Sequence, residues 1–387
     1  MKSINNLILL FLFIALASYN IFVSANQPYN NWDMIMYIAA AKSYEGQNTA
    51  ELQTFTYKAV RNSLSEQEYE NLTHGKYRGE IYSDSSAFKE QLPFYQIRPL
   101  YTGTIYLLYK AGINIVFATH IISGAAVAAA LILLYFLSIS LLKNPVTYFV
   151  PLLAVIFSVL DLAKYSTPDG MAFLAIIFIA YLYLKQHIMS LLILLPFILG
   201  IRTDLILFSI PLLVFIFMFQ KTFRKKAAVS ILISIMLYIA IATYWRNPGW
   251  STIFYFTLIQ RQAHPLSIPV TLTWHQYLFV FFNGIKELAA NKRFLLFIIF
   301  SGYSLFLILH YNKTKVLVYI SNSQPALLSI VCLIFVSTHF LLFPVIWIRF
   351  FSGPYLISAF ALLLMLTEYL KKSEPIQQSG KEDNYPV

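Results

Sequence analysis

The sequence predicts an all-α polytopic membrane protein of about ten transmembrane helices, with a large extracytoplasmic loop after the first helix. Apolar runs of about 17–25 residues, each able to cross a ~30 Å hydrocarbon core, recur along nearly the whole chain. Charged residues make up only 12% of the 387, whereas a soluble chain carries about 25%. Hydrophobic residues reach 58% and mean hydropathy is +0.65. These values exclude a soluble enzyme and a disulfide-stapled secreted domain. A transmembrane barrel is excluded too, because its strands would alternate over ~10 residues.

The first apolar run is Leu7–Val23. Val23-Ser24-Ala25 resembles a small-residue cleavage site, but further spans follow, so an uncleaved helix over 1–25 with its N-terminus in the cytoplasm is expected. From Asn26 to about Arg98 acids, lysines and tyrosines intermix, which marks a water-facing segment. Met34–Tyr44 has helical spacing and ends at Gly46, and Leu100–Lys110 is short enough to be an interfacial helix. The extracytoplasmic loop is thus 26–112. The bundle, 113–372, has expected spans at Ile113–Leu142, Val146–Leu162, Gly170–Leu184, Ile188–Ile201, Leu205–Phe219, Ala227–Trp245, Phe294–His310, Ala326–Pro344 and Phe350–Leu370; the two near Gly170 and Ile188 are short and are expected to tilt or pack within the bundle. A second outer loop covers about 246–293, with an embedded helix near Tyr277–Leu288. Residues 373–387 are a polar, disordered cytoplasmic tail.

Charge tests this topology. Lys143, Lys185, Lys221, Arg224, Lys225, Lys226, Lys313 and Lys315 fall in short cytoplasmic connections, and Lys371 and Lys372 close the last span. Of the 17 acids only Glu368, Glu374, Glu382 and Asp383 are cytoplasmic, so acid–base chemistry belongs outside. The net charge of +11 reflects orientation in a lipid bilayer; no basic stripe with interleaved aromatics suggests nucleic acid. Cys332, the single cysteine, lies inside an apolar run, which rules out an intrachain disulfide.

Three aspartates start helices on the outer side: Asp33 in Asn30-Asn31-Trp32-Asp33, Asp169 in Thr167-Pro168-Asp169, and Asp204 in Arg202-Thr203-Asp204. Asn31, Thr167 and Thr203 fit N-caps, Pro168 fits the first helical position, and an acid in the first turn complements the helix dipole. Capping therefore stands beside a functional role for Asp169 and Asp204. Cations share this side: Arg98, Lys164, Arg202 and Arg349. Snorkelling, or pairing of Lys164 with Asp161 and Arg202 with Asp204, is the alternative to ligand binding. Arg349, between Ile348 and Phe350, would be expensive if unpaired. Cations converging beside one acid suit an anionic substrate, with arginine binding phosphate and a carboxylate deprotonating a hydroxyl. No nucleotide-binding glycine motif and no zinc spacing is present, so no cofactor is expected and a divalent metal is not indicated.

The layout resembles the GT-C superfamily of integral-membrane glycosyltransferases. The likeness rests on Asn31-Trp32-Asp33 soon after the first span, Phe94-Tyr95-Gln96-Ile97-Arg98-Pro99-Leu100-Tyr101 leading into an interfacial helix, Thr167-Pro168-Asp169, and Gly200-Ile201-Arg202-Thr203-Asp204. It covers roughly residues 1–220 and is loose beyond. The resemblance implies a polyprenyl-phosphate sugar donor, a glycan, lipid or protein acceptor, and an active site on the outer face; the small size and single cysteine point to a prokaryotic plasma membrane. It implies Asp33 as general base, Arg98, Arg202 and Arg349 as phosphate contacts, and Asp169 and Asp204 lining the site. The chain departs from the protein O-mannosyltransferase pattern, with Met34 where a second acid would stand, and it lacks the C-terminal soluble domain of oligosaccharyltransferase subunits. A flippase or transporter, a polymerase of lipid-linked glycans, and a non-catalytic scaffold remain alternatives.

Overall fold

The computed structural model describes residues 2–143, 145–311 and 316–373. Lys313, Lys315 and the tail from Glu374 lie outside the described residues. A long first helix, α1 (Lys2–Asn26), leads into a layer of short helices. These are α2 (Asp33–Lys42), α3 (Thr49–Arg61), α4 (Glu66–Thr73), α5 (Lys76–Ser83), α6 (Ser85–Gln91), α7 (Pro93–Gln96) and α8 (Pro99–Lys110). Their ends follow local chemistry. Asn48 caps α3, Ser65 and Glu68 form a reciprocal capping box on α4, and Gly46 takes a left-handed φ of 73° where the turn after α2 reverses.

The remainder is the bundle: α9 (Ile115–Leu141), α10 (Phe149–Ile156), α11 (Val159–Leu162), α12 (Asp169–Leu184), α13 (Ile188–Phe197), α14 (Ile206–Phe219), α15 (Arg224–Tyr244), α16 (Trp250–Leu258), α17 (Trp274–Ala290), α18 (Lys292–Tyr311), α19 (Val316–Asn322), α20 (Gln324–Leu342) and α21 (Ile348–Ser373). Among the described residues no strand forms; one isolated bridge joins Tyr29 and Tyr165. This is a multi-pass helical membrane protein. Six helices, α1, α9, α15, α18, α20 and α21, are long and apolar enough to cross a bilayer.

The other four expected spans are shorter than a bilayer crossing. Apolar helices of 10–17 residues stand at Val146–Ile156, Asp169–Leu184, Ile188–Gly200 and Thr203–Phe219. Even α12, with 16 residues, rises only about 24 Å. The expected span at Val146–Leu162 is broken at Ser158, whose φ of 57° ends α10. Arg293 donates from Nε to the Ile156 carbonyl at 3.0 Å, satisfying a backbone group that the break leaves open. The expected embedded helix near Tyr277–Leu288 is α17, opened by a Thr273–Gln276 capping box.

Among the described residues two large hydrophobic cores organise the molecule, with a small third cluster of Leu307, Ile308, Ala326, Leu362 and Met365 between α18, α20 and α21. One fills the bundle around α9, α12, α13, α14, α20 and α21. The second lies inside the short-helix layer, built on Met34, Ile35, Ile38, Phe88, Tyr101 and Ile105, and seats on the first turns of α9. Small residues bring the bundle backbones together. Gly124 faces Ser24 of α1, and Gly170 faces the Ser123 backbone of α9, a packing mode suited to helices that meet without a hydrophobic driving force.

Candidate functional site

The segment after α1 is stitched to the segment before α12. The Tyr29 N–H donates to the Lys164 carbonyl at 2.7 Å, and the Tyr29 and Tyr165 rings lie 5.2 Å apart. Ser123 Oγ of α9 donates to the Thr167 carbonyl at 2.9 Å. These contacts bring the starts of α2 and α12 side by side, although Asp33 and Asp169 are far apart in sequence.

Neither Asn31 nor Thr167 caps its helix through its side chain, as the sequence suggested. Pro168 is itself the N-cap of α12, Trp32 that of α2, and Thr203 lies inside a short 3-10 turn. The capping candidates hold the carboxylates instead. Asn31 Nδ2 donates to Asp33 Oδ2 at 3.1 Å, and Thr167 Oγ1 donates to Asp169 Oδ2 at 2.6 Å. The physical reason is register: α2 and α12 begin one residue later than Asn31 and Thr167 would need to cap them, and the amide and hydroxyl donate to the nearby charged carboxylates.

A continuous chain of charges runs through the site. Arg349 Nη2 lies 3.7 Å from Asp33 Oδ2, and Arg349 Nε lies 3.5 Å from Asp169 Oδ2. Arg202 Nη1 donates to Asp169 Oδ1. Arg202 grips Asp204 with two parallel bonds, Nε to Oδ1 at 3.0 Å and Nη2 to Oδ2 at 2.5 Å. His339 Nε2 lies 3.2 Å from Asp204 Oδ2. A carboxylate is acceptor-only, so Nε2 carries the proton there. The Arg202 guanidinium also stacks 4.0 Å from the Phe350 ring centroid. Asp169 and Arg202 line a small cavity with Phe173, Arg349 and Phe350.

The three acids differ in access. The Asp33 side chain is 31% exposed and that of Asp169 only 2%. Asp33 Oδ1 also accepts from the Tyr95 hydroxyl at 2.9 Å. Burial, reinforced by the charge of Asp33, holds the Tyr95 phenol well above its ordinary range, so Tyr95 remains a donor. Burial likewise raises Tyr37, whose ring packs edge-on to Tyr95 at 5.1 Å; Arg98, Asp33, Asp169 and Arg349 all act on it electrostatically.

The five residues Asp33, Asp169, Arg202, Asp204 and Arg349 therefore share one network. The expected Arg202–Asp204 pair forms. Arg98 stands beside the network, its guanidinium 5.6 Å from the Tyr37 ring and 6.0 Å from that of Tyr95, with Nη1 donating to the Phe94 carbonyl. Among the described residues no carboxylate pairs with Arg98. Lys164 does not pair with Asp161; its ammonium sits 5.4 Å from the Tyr29 ring. His339, Tyr95 and Tyr37 are additional members. His339 carried one readable signal, an ionisable residue inside an apolar run.

The second loop closes over the layer. His264 lies 3.2 Å from both Asp84 and Glu90 and 3.8 Å from Glu80, while Glu90 accepts the Leu266 and Ser267 backbone N–H groups. Arg261, exposed on this loop, acts electrostatically on Tyr77, as Asp33 does. Among the described residues no group of three or more His, Cys, Asp or Glu is arranged to hold a metal ion. No family model, curated protein or solved structure matches the chain.

Proposed function

We propose that this protein is a membrane glycosyltransferase of the GT-C type. It would move a sugar from a polyprenyl-phosphate-linked donor to a glycan, lipid or protein acceptor on the extracytoplasmic side of a prokaryotic plasma membrane. Its ten apolar helices, six long and four short, would form the bundle that carries the site. The observation that supports this best is the contact of one guanidinium, Arg349, with both the accessible Asp33 and the buried Asp169.

The roles divide by access and pairing. Asp33 takes the proton from an acceptor hydroxyl, and the freed oxygen attacks the anomeric carbon. The bond from that carbon to the donor phosphate oxygen breaks, and its electron pair leaves with the polyprenyl phosphate. Arg349, held at long ion-pair distances, and Arg98, which no carboxylate among the described residues engages, stabilise the charge that develops there. Lys164 lies at the rim of the same region. Arg202 is a positioning residue, because both its edges are engaged by Asp169 and Asp204. Tyr95 and Asn31 orient the Asp33 carboxylate.

The test is donor turnover by the purified protein with a panel of polyprenyl-phosphate sugars, wild type beside Asp33→Asn. Consumption that disappears in the variant, with expression and folding intact, is expected. A variant that turns over at near wild-type rate would remove the role of Asp33. Tight donor binding without turnover in either protein would point to a flippase.

A further inference from the structure

A cleft of about 510 Å³ lies apart from the charge chain, between the end of α1, the α3–α4 turn and the start of α9. That volume falls within the ~300–1,000 Å³ typical of small-molecule sites. No lysine or arginine lines it. Its lining includes Gln27, Asn30, Asn62, Glu68, Phe117 and His120. We infer that this cleft binds a neutral sugar ring.

The chemistry of the lining selects the ligand. Among the described residues the side-chain amides of Gln27 and Asn62 make no hydrogen bond, so each offers two donors and an acceptor. Asn30 donates to Glu68 at 2.8 Å, but its own amide oxygen is buried without a partner. His120 Nδ1 lies 3.1 Å from the Ser24 carbonyl, so the proton sits on Nδ1 and a neutral ring presents Nε2 as an acceptor. Donors and acceptors are thus interspersed, matching hydroxyls, which do both. Phe117, partly exposed and edge-on to His120 at 5.3 Å, offers an apolar surface for the C–H side of a pyranose. An anionic ligand is disfavoured: Glu68 is held below the ordinary carboxylate range, first by the Ser65 hydroxyl and then by Asn30, and it stays charged.

Position adds to chemistry. Asn30 and Asp33 are three residues apart, so their Cα atoms are separated by at most about 11 Å. Asn30 turns to the cleft while the adjacent Asn31 holds Asp33. A saccharide seated in the cleft can therefore extend toward Asp33. Binding itself requires no chemistry at Asp33, so it stands or falls separately from the proposed transfer.

The experiment uses the full chain in nanodiscs of phosphatidylethanolamine and phosphatidylglycerol, since sugar-headed detergents would compete. Methyl glucoside, methyl mannoside, methyl galactoside, N-acetylglucosamine and mannose 1-phosphate are titrated by saturation-transfer NMR. At least one neutral probe should bind saturably and mannose 1-phosphate more weakly. Asn62→Trp, which fills the cleft, and Gln27→Ala, which removes hydrogen-bonding groups, should each weaken binding about tenfold or more, a change of about 1.4 kcal/mol. Asp33→Asn should bind as wild type does. Unfolding midpoints near wild type establish that the variants fold. Tighter binding of an octyl glycoside than its methyl counterpart would identify the source as a glycolipid headgroup; equal binding would identify a free or polymeric glycan. Absence of saturable binding by any neutral probe, or binding indifferent to both cleft variants, overturns the inference. Loss of turnover alone leaves it intact.

Discussion

Arg349 Nη2 stands 3.7 Å from Asp33 Oδ2, across the seam where the short-helix layer meets the bundle. The contact is long and partly solvated, so it contributes little to stability. Its importance lies in placing a cation beside the accessible acid. Arg349→Ala is expected to lower sugar transfer by about 100-fold or more, the scale for removing a donor that stabilises developing charge. Arg349→Lys should restore part of it. Steady-state turnover checks both, and an alanine variant within a few-fold of wild type would show that Arg349 does not face the leaving group.

Stability should rank the acids in a different order. Asp169→Ala strips Arg202 and Arg349 of a buried partner, a loss of about 3–5 kcal/mol at a side chain that is 2% exposed. Asp33→Ala should cost less, about 1–3 kcal/mol, since its ion pair is partly solvated and the main loss is the acceptor of the Tyr95 hydroxyl. Equilibrium unfolding in one detergent compares them; equal losses would contradict the difference in burial.

Gly170 can be tested by adding a single methyl group. A Cβ there would lie 2.8 Å from both Cα and O of Ser123, atoms of a packed helix that cannot rotate away. Gly170→Ala should destabilise by about 1–3 kcal/mol through overpacking and disturb the adjacent Asp169. An unchanged unfolding midpoint would mean that α9 and α12 separate readily.

The second loop should respond to pH. The hydrogen bond that His264 donates to Glu90, aided by the charges of Glu90, Asp84 and Glu80, raises His264 above its ordinary 6.5. Its contribution to docking is complete below about pH 6.5 and declines as pH rises through the higher docked-state value. Glu90 shifts the other way. Burial alone would raise it, but the Ser267 hydroxyl, the Leu266 N–H and His264 lower it on balance from 4.5. Its contribution is present above that pH and is lost below it. Protection from hydrogen exchange across 260–273, taken relative to the intrinsic rate at each pH, should therefore fall from about pH 6.5 upward, and His264→Gln should flatten this fall. A pH-independent protection pattern would count against the clamp.

Much of the site was legible because charge is conspicuous in an apolar sequence. Asp33, Asp169 and Asp204 each open an apolar helix, and Arg349 interrupts one. Their meeting was not legible, since it depends on the backbone stitch between Tyr29 and Lys164. His339 escaped notice because its partner, Asp204, is 135 residues away. Asn31 and Thr167 were identified as useful but for the wrong partner, because cap preference ignores a neighbouring carboxylate. The shortness of the helices near Gly170 and Ile188 was legible in their length, whereas that of the helices at Val146–Ile156 and Thr203–Phe219 was not, because hydropathy registers apolarity without recording that neighbouring helices shield it. The break at Ser158 has no glycine or proline to announce it.

The pairing of Tyr29 with Lys164 has an evolutionary corollary. Main-chain atoms make this bond, so replacement of either side chain leaves the alignment of the two segments unchanged. Adding or deleting one residue between Tyr29 and Asp33 is another matter. It would displace the acid by about 3.3 Å along an extended chain, comparable to the 3.7 Å separating it from Arg349. Related chains are therefore expected to hold the number of residues in this segment more strictly than the identity of its side chains, which sequencing of relatives can check.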